Sequence, residues 1–325
     1  MRILMLAIND PAGTAIQMAK GLRRHAGHDC RLVTLETRYT HSWEKDLHVP
    51  DLGPDGLDEL RDLLTGADVF HFHMTADERT PFGPFLPADH LRGKRIVHHH
   101  HGHHDFRSNP ESFREKYRRL GRRDLLVSTP DLLRLLPEAR WQPNLVPVDD
   151  PAFTPLPGRF DASPDPAAPL RVAHSPTRKD LKNTADLLAV AAEEAAAGLP
   201  LVLDLIDDVP NAECLRRKRA CDVLFDHMQG YYGVSSLEGL SQGLAVIAGL
   251  DEWNRDRIVE FAGTEELPWV AARDREQLRA RLRELAADRA ACREIGRRSR
   301  AFMVERWSDA RLVGRLAAFY ARPHS

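Results

Sequence analysis

Residues 226–247 read DHMQGYYGVSSLEGLSQGLAVI. Glycines at 230 and 233 punctuate a loop, Glu238 follows in a short helical segment, and Gly243 leads into the apolar run 244–247. The pattern predicts loop, helix, tight turn and parallel strand. A glycine-rich turn entering a helix is suited to an anion, because free N–H groups point outward there and the helix dipole favours negative charge. A carboxylate further along the same helix, Glu238, can accept hydrogen bonds from the diol of a ribose. The competing reading is an ordinary α/β helix whose glycines only permit close packing. A second constellation is SPTRKDLKNT, after an apolar run at 170–174. Ser175, Thr177, Arg178 and Lys182 stand where a strand hands over to a helix, and a guanidinium and an ammonium at such a turn can clamp phosphate. A solvated, charge-rich helix start would share this composition.

Histidine supplies the third candidate. KRIVHHHHGHHDFRSNP carries six histidines within 98–104, broken by Gly102, and ADVFHFHM places His71 and His73 two apart, on one face of a strand. A metal pair is one reading of these two; the favoured expectation is one histidine in the core or at its rim and the other facing the cleft. A zinc site needs three or four converging ligands. Neighbouring strand residues point to opposite faces, and no acidic or cysteine partner has convincing spacing, so a ligand-facing loop is favoured over a metal centre or a purely structural cluster. Asp105 and Arg107 follow at once and can fix that loop by an ion pair or meet a polar acceptor. The last candidate is the turn NDPAG, with Asp10 and Gly13, at the end of the first strand. It lacks the GxGxxG spacing of a nicotinamide dinucleotide site, but the carboxyl edge of an open α/β sheet is where ligands bind.

These groups need a scaffold to hold them, and the hydrophobic pattern supplies one. Strands are predicted at 2–8, 31–35, 68–73, 95–99 and 124–128, then 170–174, 201–206 and 222–225, with helices at 14–25, 111–119, 183–197 and 211–219 between them. Thr129 is placed to cap a short helix beginning at Pro130. Proline and aspartate replace periodic apolar residues around 149–169, which marks a boundary. The division is therefore 1–150, 151–306 and a terminal segment 307–325. The periodic stretch 274–300 reads as one solvated amphipathic helix, its arginines interleaved with acids. The final helix, 308–320, carries an apolar stripe that must be buried and can pack back on the first domain.

A chain of 325 residues suits two α/β domains of ordinary size. Its formal charge of −2 gives nucleic acid no electrostatic footing. No apolar run is long enough to span a bilayer, peripheral membrane contact is not expected, and no cleavage-type segment opens the chain. Four scattered cysteines outline neither a zinc site nor a disulfide framework. A cytoplasmic protein is the expectation.

At these residues the chain resembles the retaining GT-B glycosyltransferases of the glycosyltransferase family 4 type, especially bacterial polysaccharide and secondary-metabolite members. The resemblance touches almost the whole length: NDPAG looks like their first glycine loop, HHHHGHHDFR their histidine–glycine–acid–arginine loop, STPDLL with PNLVPVD the crossing into the second domain, and AHSPTRKDLKNT their basic turn. GYYGVSSLEGLSQGLAVI, the most specific match, looks like their signature around a ribose-binding glutamate. The resemblance implies an α/β GT-B fold, two Rossmann-like domains facing across a cleft with a C-terminal helix crossing back to the first. It implies transfer of a sugar from a nucleotide diphosphate sugar to a hydroxyl acceptor, with retention and without a metal or other cofactor.

By the same resemblance, Lys182 and Arg178 meet the donor phosphates, Glu238 the ribose and His101 the transferring sugar. Asp10, Gly13, Asp105 and Arg107 lie toward the acceptor, and Ser175, Thr177, Gln229, Gly230, Tyr231, Tyr232, Gly233 and Val234 toward the donor. One departure matters. Members commonly carry two glutamates separated by seven residues, and the first falls here at Gly230. Asp226, Gln229 or the backbone of residues 231–233 can do the holding instead. Three other readings stay open: an epimerase or hydrolase of nucleotide sugars on the same fold, a nucleotide-sugar-binding protein without turnover, and a zinc-dependent enzyme at the histidine cluster.

Overall fold

The computed structural model describes residues 1–38, 44–161 and 164–323. The chain divides into two compact units, Met1–Leu145 with Asp309–Ser325, and Val146–Ser308.

The first unit is built on β1 (Arg2–Ala7), β2 (Asp29–Thr34), β3 (Leu47–His48), β4 (Val69–His73), β5 (Arg95–His100), β6 (Asp124–Val127) and β7 (Arg140–Trp141), with α1 (Thr14–Ala26), α2 (Pro54–Gly66), α3 (His104–Ser108) and α4 (Pro110–Leu120). All seven strands are parallel in the order β3-β2-β1-β4-β5-β6-β7. The order reverses between β1 and β4, and in such sheets ligands bind at the carboxyl ends beside the reversal. Register places Ala7 beside His73 and His73 beside His99, so the NDPAG turn and the histidine loop leave the same edge. Every residue of β4 is buried, histidines included, as expected of a parallel strand covered on both faces.

The second unit is built on β8 (Leu170–His174), β9 (Leu201–Leu205), β10 (Val223–Phe225), β11 (Ala245–Ala248) and β12 (Trp269–Ala271), with α5 (Thr184–Ala196), α6 (Asn211–Arg219), α7 (Val234–Ser241), α8 (Glu252–Ala262), α9 (Arg275–Ala287) and α10 (Arg289–Arg306). Its parallel order is β12-β11-β10-β8-β9, with the reversal between β10 and β8. The basic turn follows β8 and the glycine loop follows β10, so both lie at that reversal. An aromatic cluster of Tyr232, Phe261, Trp269, Phe302 and Trp307 packs behind the loop.

The last helix, α11 (Asp309–Tyr320), belongs to the first unit. It buries Leu312, Val313, Leu316, Phe319 and Tyr320 and lies against α1. A side chain at Gly21 of α1 would meet Val313 at 2.7 Å, so the close approach of the two helices depends on that glycine. His25 and Asp309 join the helices at 2.7 Å.

Two local expectations are corrected. The single helix over 274–300 is two, because Asp288 ends α9 and its side chain accepts from Ala291 N at 2.8 Å to start α10. An aspartate that satisfies a free N–H favours a new start over continuation. Residues 130–134 form only a 3-10 turn, and Thr129 makes no side-chain cap to it. Pro130 has no N–H, so one of the donors left unpaired at the start of the turn is already absent.

The buried polar group with the clearest stability role is Glu78, which accepts from Arg122 Nε at 2.6 Å and contacts His98 Nε2 at 3.1 Å. Burial alone would raise its carboxyl, but these partners hold it down at about 2. Burial also lowers His98, so near neutrality Arg122 carries the ion pair. A depressed carboxyl contributes stability above its unfolded value near 4.5 that is lost as pH falls toward 2, here on the order of 2–3 kcal/mol. Glu78→Gln is therefore expected to be less stable than wild type at pH 7, with the gap narrowing below pH 4.5 and nearly closed at about pH 2, in urea unfolding followed across pH.

Candidate functional site

In the second unit, β8 ends at His174, whose Nδ1 donates to Phe225 O at 2.9 Å while Nε2 meets the Thr184 hydroxyl at 2.8 Å. One buried side chain thus ties the ends of β8 and β10 to the start of α5. Burial lowers its pKa to about 4, so it serves as a neutral strut.

Directly beyond β10, the Asp226 carboxylate accepts from Lys182 Nζ at 2.8 Å, Gly233 N at 2.5 Å and Ser236 Oγ at 2.8 Å. Burial opposes its ionisation, yet neighbouring His227 and Lys182 and the Gly233 N–H hold it well below the usual carboxylate range. Asp226 is buried, whereas Lys182 keeps about a fifth of its side chain exposed. A Cβ at position 233 would lie 2.7 Å from Lys182 Nζ and 3.1 Å from Asp226 Oδ1, so the glycine is what admits this pair. Nearby, Ser175 Oγ meets Ser235 Oγ at 3.0 Å. Asn183, at φ 53°, accepts through Oδ1 from Met228 N at 2.9 Å and Gln229 Nε2 at 3.2 Å. The basic turn and the glycine loop are thereby stitched together at the N-terminus of α7. No side chain caps that helix, and no acid occupies its first turn.

Glu238 lies in the second turn of α7, buried, in an ion pair with buried Lys218 of α6. Burial disfavours the ammonium, but Glu238 more than offsets this and raises its pKa. Position 230, where the first glutamate of the pair is expected by resemblance, has φ 91°, and a Cβ there would lie 3.5 Å from Asp251 Oδ2. A glutamate would face both an unfavourable backbone conformation and a like charge.

The remaining donor-side residues are less concentrated. Thr177 and Arg178 are exposed, and Arg178 makes a bidentate pair with Asp180 of its own turn. Gln229 is exposed, Tyr231 is half-buried with its ring edge on His227, and Val234 is half-buried. Tyr232 is fully buried, its ring packed among Trp269 and Trp307, so its side chain is not presented to a ligand.

In the first unit, strand alternation sorts the histidines. His98 and His100 point toward Tyr117, while His71, His73, His99 and His101 stack on the other side. The expectation that one of His71 and His73 faces the cleft is corrected: both are buried, at 0% and 1% exposure, because both faces of β4 are covered. His101 is half-buried, contacts His73 Nδ1 at 2.9 Å, and is lowered by burial to about 3 with Asn144 acting the other way, so it is a neutral ring. Asp10 accepts from Ala15 N at 3.1 Å and Ile16 N at 2.9 Å at the head of α1, and Gly13 N donates to Asp10 O at 3.1 Å. Burial pushes the Asp10 carboxyl up to about 6 against those N–H groups. Asp105 is exposed and pairs with His103. Arg107 pairs with Asp131 at 2.7 Å and donates to Gly102 O at 3.2 Å, so its partner is a residue remote in sequence rather than Asp105.

Three contributors escaped sequence reasoning. Asn183 and Lys218 sit in runs (KN, RRKR) that read as solvent-facing, and His174 reads as one more strand residue. Only the Asp226–Gly233 spacing carried a signal, as a short polar residue at a strand end before a glycine loop.

No protein-family model and no curated protein matches the sequence. Solved structures match over nearly the whole chain. HepE of Anabaena, solved with UDP and glucose, has 12% identity and a TM-score of 0.67 over 99% of this chain and 100% of that one. The sucrose-phosphate synthase of Thermosynechococcus elongatus has 14% identity and a TM-score of 0.61 over 98% of each chain. A glycosyltransferase of Rickettsia africae has 12% identity and a TM-score of 0.59 over 98% and 97%. At such identity the likeness defines the fold, and this chain has the GT-B fold: two Rossmann-like α/β domains with a C-terminal helix. Among the described residues no helix is long and apolar enough to cross a membrane.

Proposed function

We propose that this protein is a glycosyltransferase that moves a sugar from a nucleotide diphosphate sugar to a hydroxyl-bearing acceptor, with retention of configuration and without a metal at the diphosphate. The observation that carries the reading is the convergence of Lys182, Gly233 and Ser236 on Asp226 at the uncapped start of α7, beside the strand-order reversal of the second unit. Breaking the bond between anomeric carbon and diphosphate places negative charge on the leaving oxygen. Fixed N–H donors and an ammonium aimed there lower the barrier most. Lys182 has protons to share between Asp226 and a phosphate, Arg178 can exchange Asp180 for a second phosphate oxygen, and the amides of α7 face the anion.

Glu238 is assigned to the ribose, with Lys218 holding its carboxylate in place. His101, a neutral ring, is assigned to hydrogen bonding with the transferring sugar. Asp10, with its raised carboxyl, or Asp105 is assigned to orienting the acceptor, beside Gly13 and Arg107. Ser175, Thr177, Gln229, Tyr231, Val234 and the backbone of Gly230 and Tyr232 complete the donor contacts. Retention and family 4 membership rest on the motif resemblance. HepE was solved with UDP, which makes uridine diphosphate sugars the first donors to try. The free thiols of Cys30, Cys214, Cys221 and Cys292 suit a reducing compartment, in keeping with a cytoplasmic enzyme.

A thermal-shift screen against nucleotide diphosphate sugars tests the donor assignment. At a hundredfold excess over Kd a true donor stabilises the folded state by about 2.7 kcal/mol, a rise on the order of 5–10 °C. No shift with any base would remove the donor site. A second reading, binding without turnover, is favoured by Gly230 at the position of the first glutamate. It predicts the same shift with no transfer or hydrolysis of the bound donor.

A further inference from the structure

We propose that His71, His73 and His99 form a three-histidine site for a divalent transition-metal ion of the zinc class, built into the sheet of the first unit. One ring nitrogen from each residue lies within 4.8 Å of those from the other two, and all three side chains are buried. The strands enforce the grouping. His71 and His73 share one face of β4, and register sets His99 of β5 beside His73.

The hydrogen bonding has the form of ligands awaiting an ion. His71 meets the Tyr320 hydroxyl through Nδ1 at 2.6 Å, and His73 meets His101 through Nδ1 at 2.9 Å. Among the described residues, Nε2 of each ring is buried with no hydrogen-bond partner, and in His99 neither nitrogen has one. A metal-bound histidine typically gives its other nitrogen to such a partner, which fixes ring and tautomer. Each unmet buried polar atom carries an uncompensated desolvation cost, which apolar side chains of like volume would avoid and which a metal ion would remove. Imidazole nitrogen suits zinc, cobalt, nickel and copper. A tetrahedral ion with bonds of about 2.0–2.1 Å needs nitrogens about 3.3 Å apart, so the rings, now stacked or tilted at 12–32° to one another, must rotate for their lone pairs to converge. The set is neutral, so the ion keeps its charge and its fourth position suits water, hydroxide or an anion. Such an ion would tie the carboxyl ends of β4 and β5 directly beneath the His101 loop. It takes no part in the diphosphate chemistry proposed above.

The test uses the full chain, stripped with chelator and titrated with Co2+ and then Zn2+. The expected result is one ion per chain, a visible cobalt absorption of tetrahedral type that Zn2+ abolishes, and a higher melting temperature. His99→Leu should weaken binding by more than the roughly 10–100-fold that loss of a partner behind a ligand costs, while replacing half-buried His103 and exposed His104 by Ala leaves it intact. Should His99→Leu fail to fold, anomalous scattering at the zinc edge from wild-type crystals decides, with a peak between His71, His73 and His99 expected. Absence of stoichiometric binding, unchanged binding in folded His99→Leu, loss in the His103/His104 variant, or a peak elsewhere would each overturn the site.

Discussion

Lys182→Ala is expected to lower sugar transfer by about two to three orders of magnitude in kcat, the usual cost of removing one donor aimed at developing charge. The structure complicates the obvious experiment. Lys182 pairs with the buried carboxylate of Asp226, so deleting the lysine also strips a partner from a buried charge, and the variant should melt several degrees lower. Gly233 N and Ser236 Oγ still satisfy that carboxylate, which is why unfolding at room temperature is not expected. The double variant Lys182→Ala/Asp226→Asn separates the two roles. It removes the uncompensated charge and should recover most of the stability, yet turnover should stay low because the phosphate donor is still missing. Recovery of turnover along with stability would show that Lys182 acts only by holding the loop, and near-normal transfer by Lys182→Ala alone would end the phosphate assignment.

The pair Lys218–Glu238 gives the second large effect, this time on folding. Both groups are buried, at 2% and 4% exposure. Removing one partner of such a pair typically costs about 3–5 kcal/mol, whereas replacing both with apolar residues of similar volume can be neutral or stabilising. Lys218→Met is therefore expected to lose about 3–5 kcal/mol in denaturant unfolding, and Lys218→Met/Glu238→Leu to regain most of it. If Glu238 also holds the ribose, the stable double variant should still lose the thermal shift with nucleotide diphosphate sugars. A stable double variant that binds donor normally would leave Glu238 a purely structural role, and additive single costs would deny that the two groups act as a pair.

The order of elements was open to local reading. Period-two and period-3.6 patterns, proline and glycine punctuation, and the apolar stripe of α11 are properties of neighbouring residues, and they suffice for two α/β units with a returning helix. The chemistry of the lysine turn and the glycine loop was visible for the same reason, since each motif is contiguous. Partnership was not. Lys182 and Asp226 are 44 residues apart, and only the sheet order, which sets β10 against β8, makes them neighbours. Lys218 meets Glu238 because α6 and α7 pack together, a fact that no charge pattern in RRKR announces. The same holds for the histidines. Alternation says that His98 and His99 point apart, but not that both faces of β4 and β5 are covered, and this cover is what buries His71 and His73 and leaves their nitrogens unmet. Local sequence thus determined which elements form and what chemistry their turns carry. The tertiary structure alone decided which charges are paired and which polar atoms are sealed from water, because pairing and burial depend on segments that meet only after the sheets are assembled.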